Sequence, residues 1–211
     1  MDWIPFAAEK EERYASQHGE IDERSIVRRG NAAYAAGLAH LMAHDDAAAG
    51  EWFRNAAARW RESWDAGGGV DSWGRPIGTL KASLLAGDEE AVAELAPWAL
   101  ELGTATAASP IGRYAGALAL LALGRLDEAR HVAASLRERD DFPPAVADAL
   151  AAIAAGDAAG YGDAVDAVVA SFEARDEYLE DVPVADTALV LDLLARRNGL
   201  AHALPASAVL P

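Results

Sequence analysis

Leu120-Leu121-Ala122-Leu123-Gly124-Arg125-Leu126-Asp127-Glu128-Ala129-Arg130 reads as the end of one helix, a glycine stop and the start of the next. The apolar run supplies the buried side of the first helix. Gly124 can adopt the left-handed backbone that ends it, and Asp127 and Glu128 favour the opening turn of the second. Looser copies of this turn occupy 42–50, 84–91 and 153–164. A turn repeated along a chain predicts helical hairpins stacked side by side. Gly87, Gly124 and Gly156 stand 37 and 32 residues apart, close to the period of tetratricopeptide-type repeats. The ordered large and small positions of that repeat are degraded, so the expected architecture is a tetratricopeptide-like α-solenoid of stacked antiparallel hairpins with about 8–10 helices.

Working outward from this turn, apolar spacing predicts an N-terminal helix over 6–17 and a long hairpin over 22–43 and 45–65. Three further hairpins follow over 77–102, 111–139 and 144–175, and a last helix over 184–197. Ser109-Pro110 reads as a helix start, and Asn198-Gly199 after Arg196 and Arg197 as a helix stop. Pro97 should interrupt or kink its helix, because it carries no N–H for the helical ladder. The whole chain is expected to be one helical domain, 1–211. Its parts are N-terminal helices and first hairpin over 1–66, a glycine-rich joint over 67–76, the array and final helix over 77–200, and an extended tail over 201–211.

Composition agrees. The chain is 52% hydrophobic, and much of that is alanine, the strongest helix former and one that lets helix backbones approach closely. Acids outnumber bases 34 to 18, for a net charge of −16. Such a chain lacks the cations that displace counterions from phosphates, so neither nucleic acid nor an anionic membrane surface is an expected partner. Lysine occurs only at Lys10 and Lys81. Abundant acids with almost no lysine suit a halophilic, salt-rich cytoplasm, the favoured reading; the arginine and alanine could instead reflect a GC-rich genome. Cysteine is absent, which removes disulfides and thiolate chemistry. The opening Met1-Asp2-Trp3-Ile4-Pro5-Phe6 lacks the basic and apolar segments of a signal peptide, so a cytoplasmic protein is expected.

The search for chemistry gives little. Phe53, Trp60 and Trp64 share one helix face and read first as a core seam. The competing reading is an aromatic groove to which Trp52 and Trp73 also contribute. His40 and His44, at i and i+4, have a spacing that can hold a metal, but no third ligand is evident and the Glu of a metalloprotease helix is replaced by Leu41. Trp52, Trp60, Trp64, Trp73, His40 and His44 are therefore the pocket or groove candidates. No catalytic residue, metal site or cofactor is expected: the Gly-x-Ser-x-Gly elbow is missing, and the loop at Gly67-Gly68-Gly69 has no phosphate-binding spacing.

The second half carries a resemblance. Gly156-Asp157-Ala158-Ala159-Gly160-Tyr161 leads into a helix ending Phe172-Glu173-Ala174-Arg175. Val184-Ala185-Asp186-Thr187-Ala188-Leu189, then Leu193-Leu194-Ala195-Arg196-Arg197-Asn198-Gly199-Leu200, and finally Leu210-Pro211 follow. These segments resemble the immunity protein 49 family of polymorphic-toxin systems, most clearly over the last third of the chain. The resemblance implies a cytoplasmic helical protein, not an enzyme, that neutralises a cognate toxin by binding it; the net charge would suit a basic toxin domain. The alternatives are a tetratricopeptide-like scaffold holding a peptide in its groove, and a helical enzyme or small-ligand sensor using a pocket near the tryptophans. No residue pattern specifies an oligomeric state.

Overall fold

The computed structural model describes residues 2–17, 22–69 and 71–211, so Val70 of the expected joint lies outside the described residues. Among the described residues it contains ten α-helices, two 3-10 turns and no strand. The helices are α1 (Trp3–Ser16), α2 (Glu23–Met42), α3 (Asp46–Asp65), α4 (Gly74–Leu85), α5 (Glu89–Glu101), α6 (Pro110–Ala122), α7 (Leu126–Arg137), α8 (Pro144–Ala155), α9 (Ala158–Glu173) and α10 (Asp186–Arg197). The stacked hairpins are α2–α3, α4–α5, α6–α7 and α8–α9, and α1 packs against α2.

One turn joins each pair, and its hydrogen bonds show why the sequence pattern recurs. At the end of α6, Gly124 has φ +68°, its N–H donates to the Leu121 carbonyl (3.1 Å), and the Arg125 N–H donates to Leu120 (2.9 Å). These two bonds satisfy carbonyls that the helix end would leave orphaned. Gly87, Gly156 and Gly199 hold the same conformation with the same pair of bonds. An aspartate follows the first two of these: Asp88 and Asp157 accept from backbone N–H groups of Ala91 and Gly160 and so cap the next helix.

His44 occupies the glycine position of this turn between α2 and α3. Its φ is +59°, its N–H donates to Leu41 (3.0 Å), and Asp45 caps α3 through the Ala48 N–H. A residue with a Cβ pays steric strain there, whereas glycine pays mainly a larger loss of chain entropy. His44→Gly is expected to stabilise the fold by about 0.5–1 kcal/mol. A rise of roughly 2 °C in thermal midpoint would show it; a fall would contradict this account of the turn.

The last helix changes the character of the array. In an open solenoid each unit touches only its neighbours. Here α10 lies across the inner helices, contacting α4, α6, α8 and α9. α6 is consequently buried almost all round, from Tyr114 to Ala122. Leu118, Leu121, Leu150, Ile153, Leu191 and Leu194 meet in one continuous core. At its far end α10 is fixed by Arg197, whose Nε donates to the Ala122 carbonyl (2.7 Å), and by Asn198, whose side chain donates to Leu121 (3.0 Å). Both groups satisfy terminal carbonyls of α6.

The structure departs from the sequence reading in several places: α1 begins at Trp3, not at position 6, and α10 at Asp186, not at 184. α4 begins at Gly74, so Arg75 and Pro76 belong to its first turn, where a missing N–H costs nothing. α5 runs through Pro97 without ending. The tail is irregular, yet Val209 and Leu210 are buried, and the Ala185 N–H donates to the Val209 carbonyl at 2.8 Å.

Candidate functional site

The aromatic candidates fall into three groups. Trp60 sits in the α3 core, with its indole N–H on the Asn31 Oδ1 of α2 (3.1 Å). Gly30 and Gly78 lie so close to its ring that an added Cβ would come within 2.7 and 2.6 Å of it. The ring is thus clamped between two helix backbones. Trp64 and Trp73 pack together with Trp98, at centroid separations of 6.1 Å, and Arg61 lies over Trp98. Trp52 stands apart, edge-on to Tyr14 of α1.

The histidines do not converge. His40 Nε2 lies 2.7 Å from Glu11 Oε1, and the same oxygen accepts from the Trp52 indole N–H (3.0 Å). Glu11 of α1 thereby ties His40 and Trp52 together and holds α1 onto the first hairpin. His44 is the exposed left-handed residue of the next turn. Among the described residues no group of three or more His, Cys, Asp or Glu side chains gathers as a metal site would require.

A cavity of about 410 Å³ opens beside Trp60, walled by α2, α3, α4 and the start of α10. Its volume is in the range of small-molecule sites. Apolar walls come from Val27, Ile77 and Leu179. Leu179 belongs to a 3-10 turn, Leu179–Asp181, in which Glu180 and Asp181 both have positive φ. That turn is tied to α1 by the Arg13–Glu180 ion pair (2.8 Å), and it leaves Leu179 57% exposed at the mouth.

The polar end is a buried network that joins three helices. Lys81 of α4 donates to Asp186 Oδ2 (2.5 Å) and to Thr187 Oγ1 (3.1 Å), both on α10. Tyr34 of α2 donates its hydroxyl to the same Asp186 oxygen (2.8 Å). Burial pushes the Asp186 carboxyl up, but the Lys81 charge and the hydrogen bonds from Lys81 and Tyr34 outweigh it and hold the group below its ordinary value. Burial and the adjacent Asp186 charge push the Tyr34 phenol well up, so it stays protonated as a donor. At the other side of the cavity Arg75 pairs with Glu23, while its Nε and Nη1 are buried without a partner.

Of the six candidates, the structure places Trp60 on this cavity and the other five elsewhere. The residues that give the cavity its chemistry, Tyr34, Arg75, Lys81 and Asp186, were not singled out from the sequence. A signal for one existed. Lys81 is one of two lysines and stands in the otherwise uncharged run Pro76-Ile77-Gly78-Thr79-Leu80-Lys81-Ala82-Ser83-Leu84-Leu85. A charge on such a helix needs a buried partner.

A second concavity, about 490 Å³, lies between α8 and α9. Its floor is alanine, including Ala151, Ala152 and Ala164, and Asp148, Asp157 and Asp163 edge it. Between Pro144 and Glu173 the chain has no lysine, arginine or histidine. The one cation at this groove is Arg137 of α7, which is already paired with Asp148 (2.7 Å). No family model, curated protein or solved structure matches this chain.

Proposed function

We propose that the protein is a non-enzymatic interaction protein that binds a basic protein partner on its α8–α9 face. The reading rests on one observation. A groove floored by alanine is edged by carboxylates on two helices that carry no base of their own. Small floor residues allow a partner segment to approach closely, and the acidic edge attracts and orients cations on it. The two ends of α9 carry part of the resemblance to the immunity protein 49 family, and α10 and the tail carry the rest. On that resemblance the partner is a cognate toxin domain, neutralised by binding in the cytoplasm. The inner face that a peptide-holding solenoid would offer is covered by α10, which favours the outer groove over the scaffold reading. No helix among the described residues is long and apolar enough to cross a membrane.

Affinity capture from the source cells at native ionic strength, followed by mass spectrometry, tests this proposal. The expected product is one stoichiometric basic protein. Asp163→Lys, at an exposed position, should weaken its capture at least tenfold while leaving the helical content unchanged. An acidic partner, or a partner indifferent to Asp163→Lys, would remove the basis for this face. In a salt-rich cytoplasm the long-range attraction is screened, so affinity there depends on contact with the alanine floor.

A further inference from the structure

The charges that line the cavity beside Trp60 are already balanced. Lys81 and Asp186 both line it, and they pair with each other. Arg75, on the other side, is paired with Glu23. Its Nε and Nη1 have no accessible surface, and Nη1 lies beside Gly68, which is not part of the wall, so Arg75 adds no free donor. The Lys81–Asp186 pair still has hydrogen-bonding capacity of both kinds. The ammonium has three N–H donors and spends two, on Asp186 and Thr187. Asp186 Oδ1 receives the Thr187 hydroxyl at a long 3.3 Å and keeps acceptor capacity. The two side chains retain 11% and 16% of their exposure, so the pair is not sealed off from the cavity it lines.

A charged ligand gains little in such a place. Entry strips its water, and neither an anion nor a cation finds an opposite charge that is not already paired. An uncharged hydroxyl gives up less hydration, and it can accept from Lys81 and donate to Asp186 at once. Elsewhere the wall is apolar, with Val27 and Ile77 inside and Leu179 at the mouth, so an apolar body gains by leaving water there. Leu179 is held 57% exposed by a turn in which Glu180 and Asp181 take left-handed φ values of +55° and +61°. Backbone strain of this kind is costly and gathers at ligand clamps. A ligand body resting at the mouth would cover Leu179.

We infer that this cavity binds a small uncharged molecule with an apolar body and a hydroxyl end. The hydroxyl bridges Lys81 and Asp186, and the body lies among Val27, Ile77 and Leu179. The site uses none of the residues of the α8–α9 face and stands or falls separately from partner binding.

Titration calorimetry on the whole chain at pH 7 provides the test. 3-Phenylpropanol and 1-octanol serve as aromatic and aliphatic alcohols. The carboxylate and the amine of the same bodies, 3-phenylpropanoate with 3-phenylpropylamine and octanoate with octylamine, are their charged counterparts. At least one alcohol should bind saturably and at least tenfold more tightly than its acid and its amine; whichever alcohol binds defines the shape of the body. Val27→Phe, which fills the cavity without touching the ion pairs, should abolish alcohol binding while the thermal midpoint is kept. Leu179→Ala, at an exposed position where the fold is not at stake, should weaken it at least threefold. Asp186→Asn unbalances the pair in favour of Lys81 and should raise the affinity of the acid relative to the alcohol at least tenfold. The inference is overturned by an acid or amine that binds as tightly as its alcohol, or by no saturable binding of either alcohol. Alcohol binding unchanged by Val27→Phe or by Leu179→Ala, or an acid-to-alcohol ratio unchanged by Asp186→Asn, overturns it as well.

Discussion

Replacing Asp186 with alanine is expected to destabilise the fold by about 3–5 kcal/mol, the usual cost of leaving one member of a buried ion pair without its partner. The side chains of Lys81 and Asp186 are only 11% and 16% exposed. Removing the carboxylate takes away the charge partner of the Lys81 ammonium and the acceptor of the Tyr34 hydroxyl together. Urea unfolding followed by circular dichroism measures the loss. The double variant Lys81→Met with Asp186→Leu should be much less damaging than Asp186→Ala, because it removes both charges and fills the space. Equal losses in the two variants would show that packing, not an unpaired charge, is responsible.

The same carboxylate makes a pH prediction. Its folded value lies below the ordinary 3.8, so its stabilisation is present in full above about pH 4 and fades as pH falls through the lower folded value. Asp186→Asn keeps the shape and loses the charge. Its deficit relative to the natural chain should be largest near neutrality and shrink below pH 4. A deficit that stays constant down to pH 2 would mean that the charge at Asp186 does not contribute.

Gly116→Ala is the second large effect, and its sign is opposite to helix propensity. In the interior of an exposed helix this exchange gains about 1 kcal/mol. In α6 the added Cβ would lie 2.6 Å from both Cα and N of Ala105, and 2.9 Å from the Thr104 carbonyl carbon. These are backbone atoms of the 3-10 turn Thr104–Thr106, and they cannot swing aside as a side chain would. The turn is itself fixed, because Thr104 is fully buried and donates its hydroxyl to the Ala99 carbonyl (2.8 Å). A loss of about 1–3 kcal/mol is expected from the forced backbone shift. Gly69→Ala is the matched control: nothing lies within 4 Å of its added Cβ, and the change should stay within about 0.5 kcal/mol. A stabilised Gly116→Ala variant would disprove the close approach of this turn to α6.

The architecture was legible because local chemistry dictates it. The glycine turns after α4, α6 and α8, the caps Asp45 and Asp88, and the stop at Asn198-Gly199 all act within a few residues of chain. Even the irregular copy at 42–50 was visible, although His44 replaces the glycine. The cavity was not legible for the opposite reason. Tyr34 and Asp186 meet across 152 positions, and Lys81 and Asp186 across 105, a pairing that no spacing rule anticipates. The tryptophans drew attention by size, yet five of the six candidate residues serve contacts between helices or the turn itself. The path of α10 was also hidden. Its apolar positions marked a helix with a buried side, but not that it crosses the inner helices instead of extending the stack.

That crossing helix fixes the spacing of the α4–α5 and α6–α7 hairpins. Arrays whose units touch only their neighbours can gain or lose a unit and keep every remaining contact. Here the 12 residues of α10 make a rod about 18 Å long. It is fastened at one end to Lys81 on α4 and at the other to the last carbonyls of α6. An extra hairpin between them would separate the two anchors by roughly another 10 Å, the width of a packed helix. The rod could then hold one anchor or the other, but not both. Descendants of this chain are therefore constrained to keep the α4–α5 and α6–α7 hairpins adjacent.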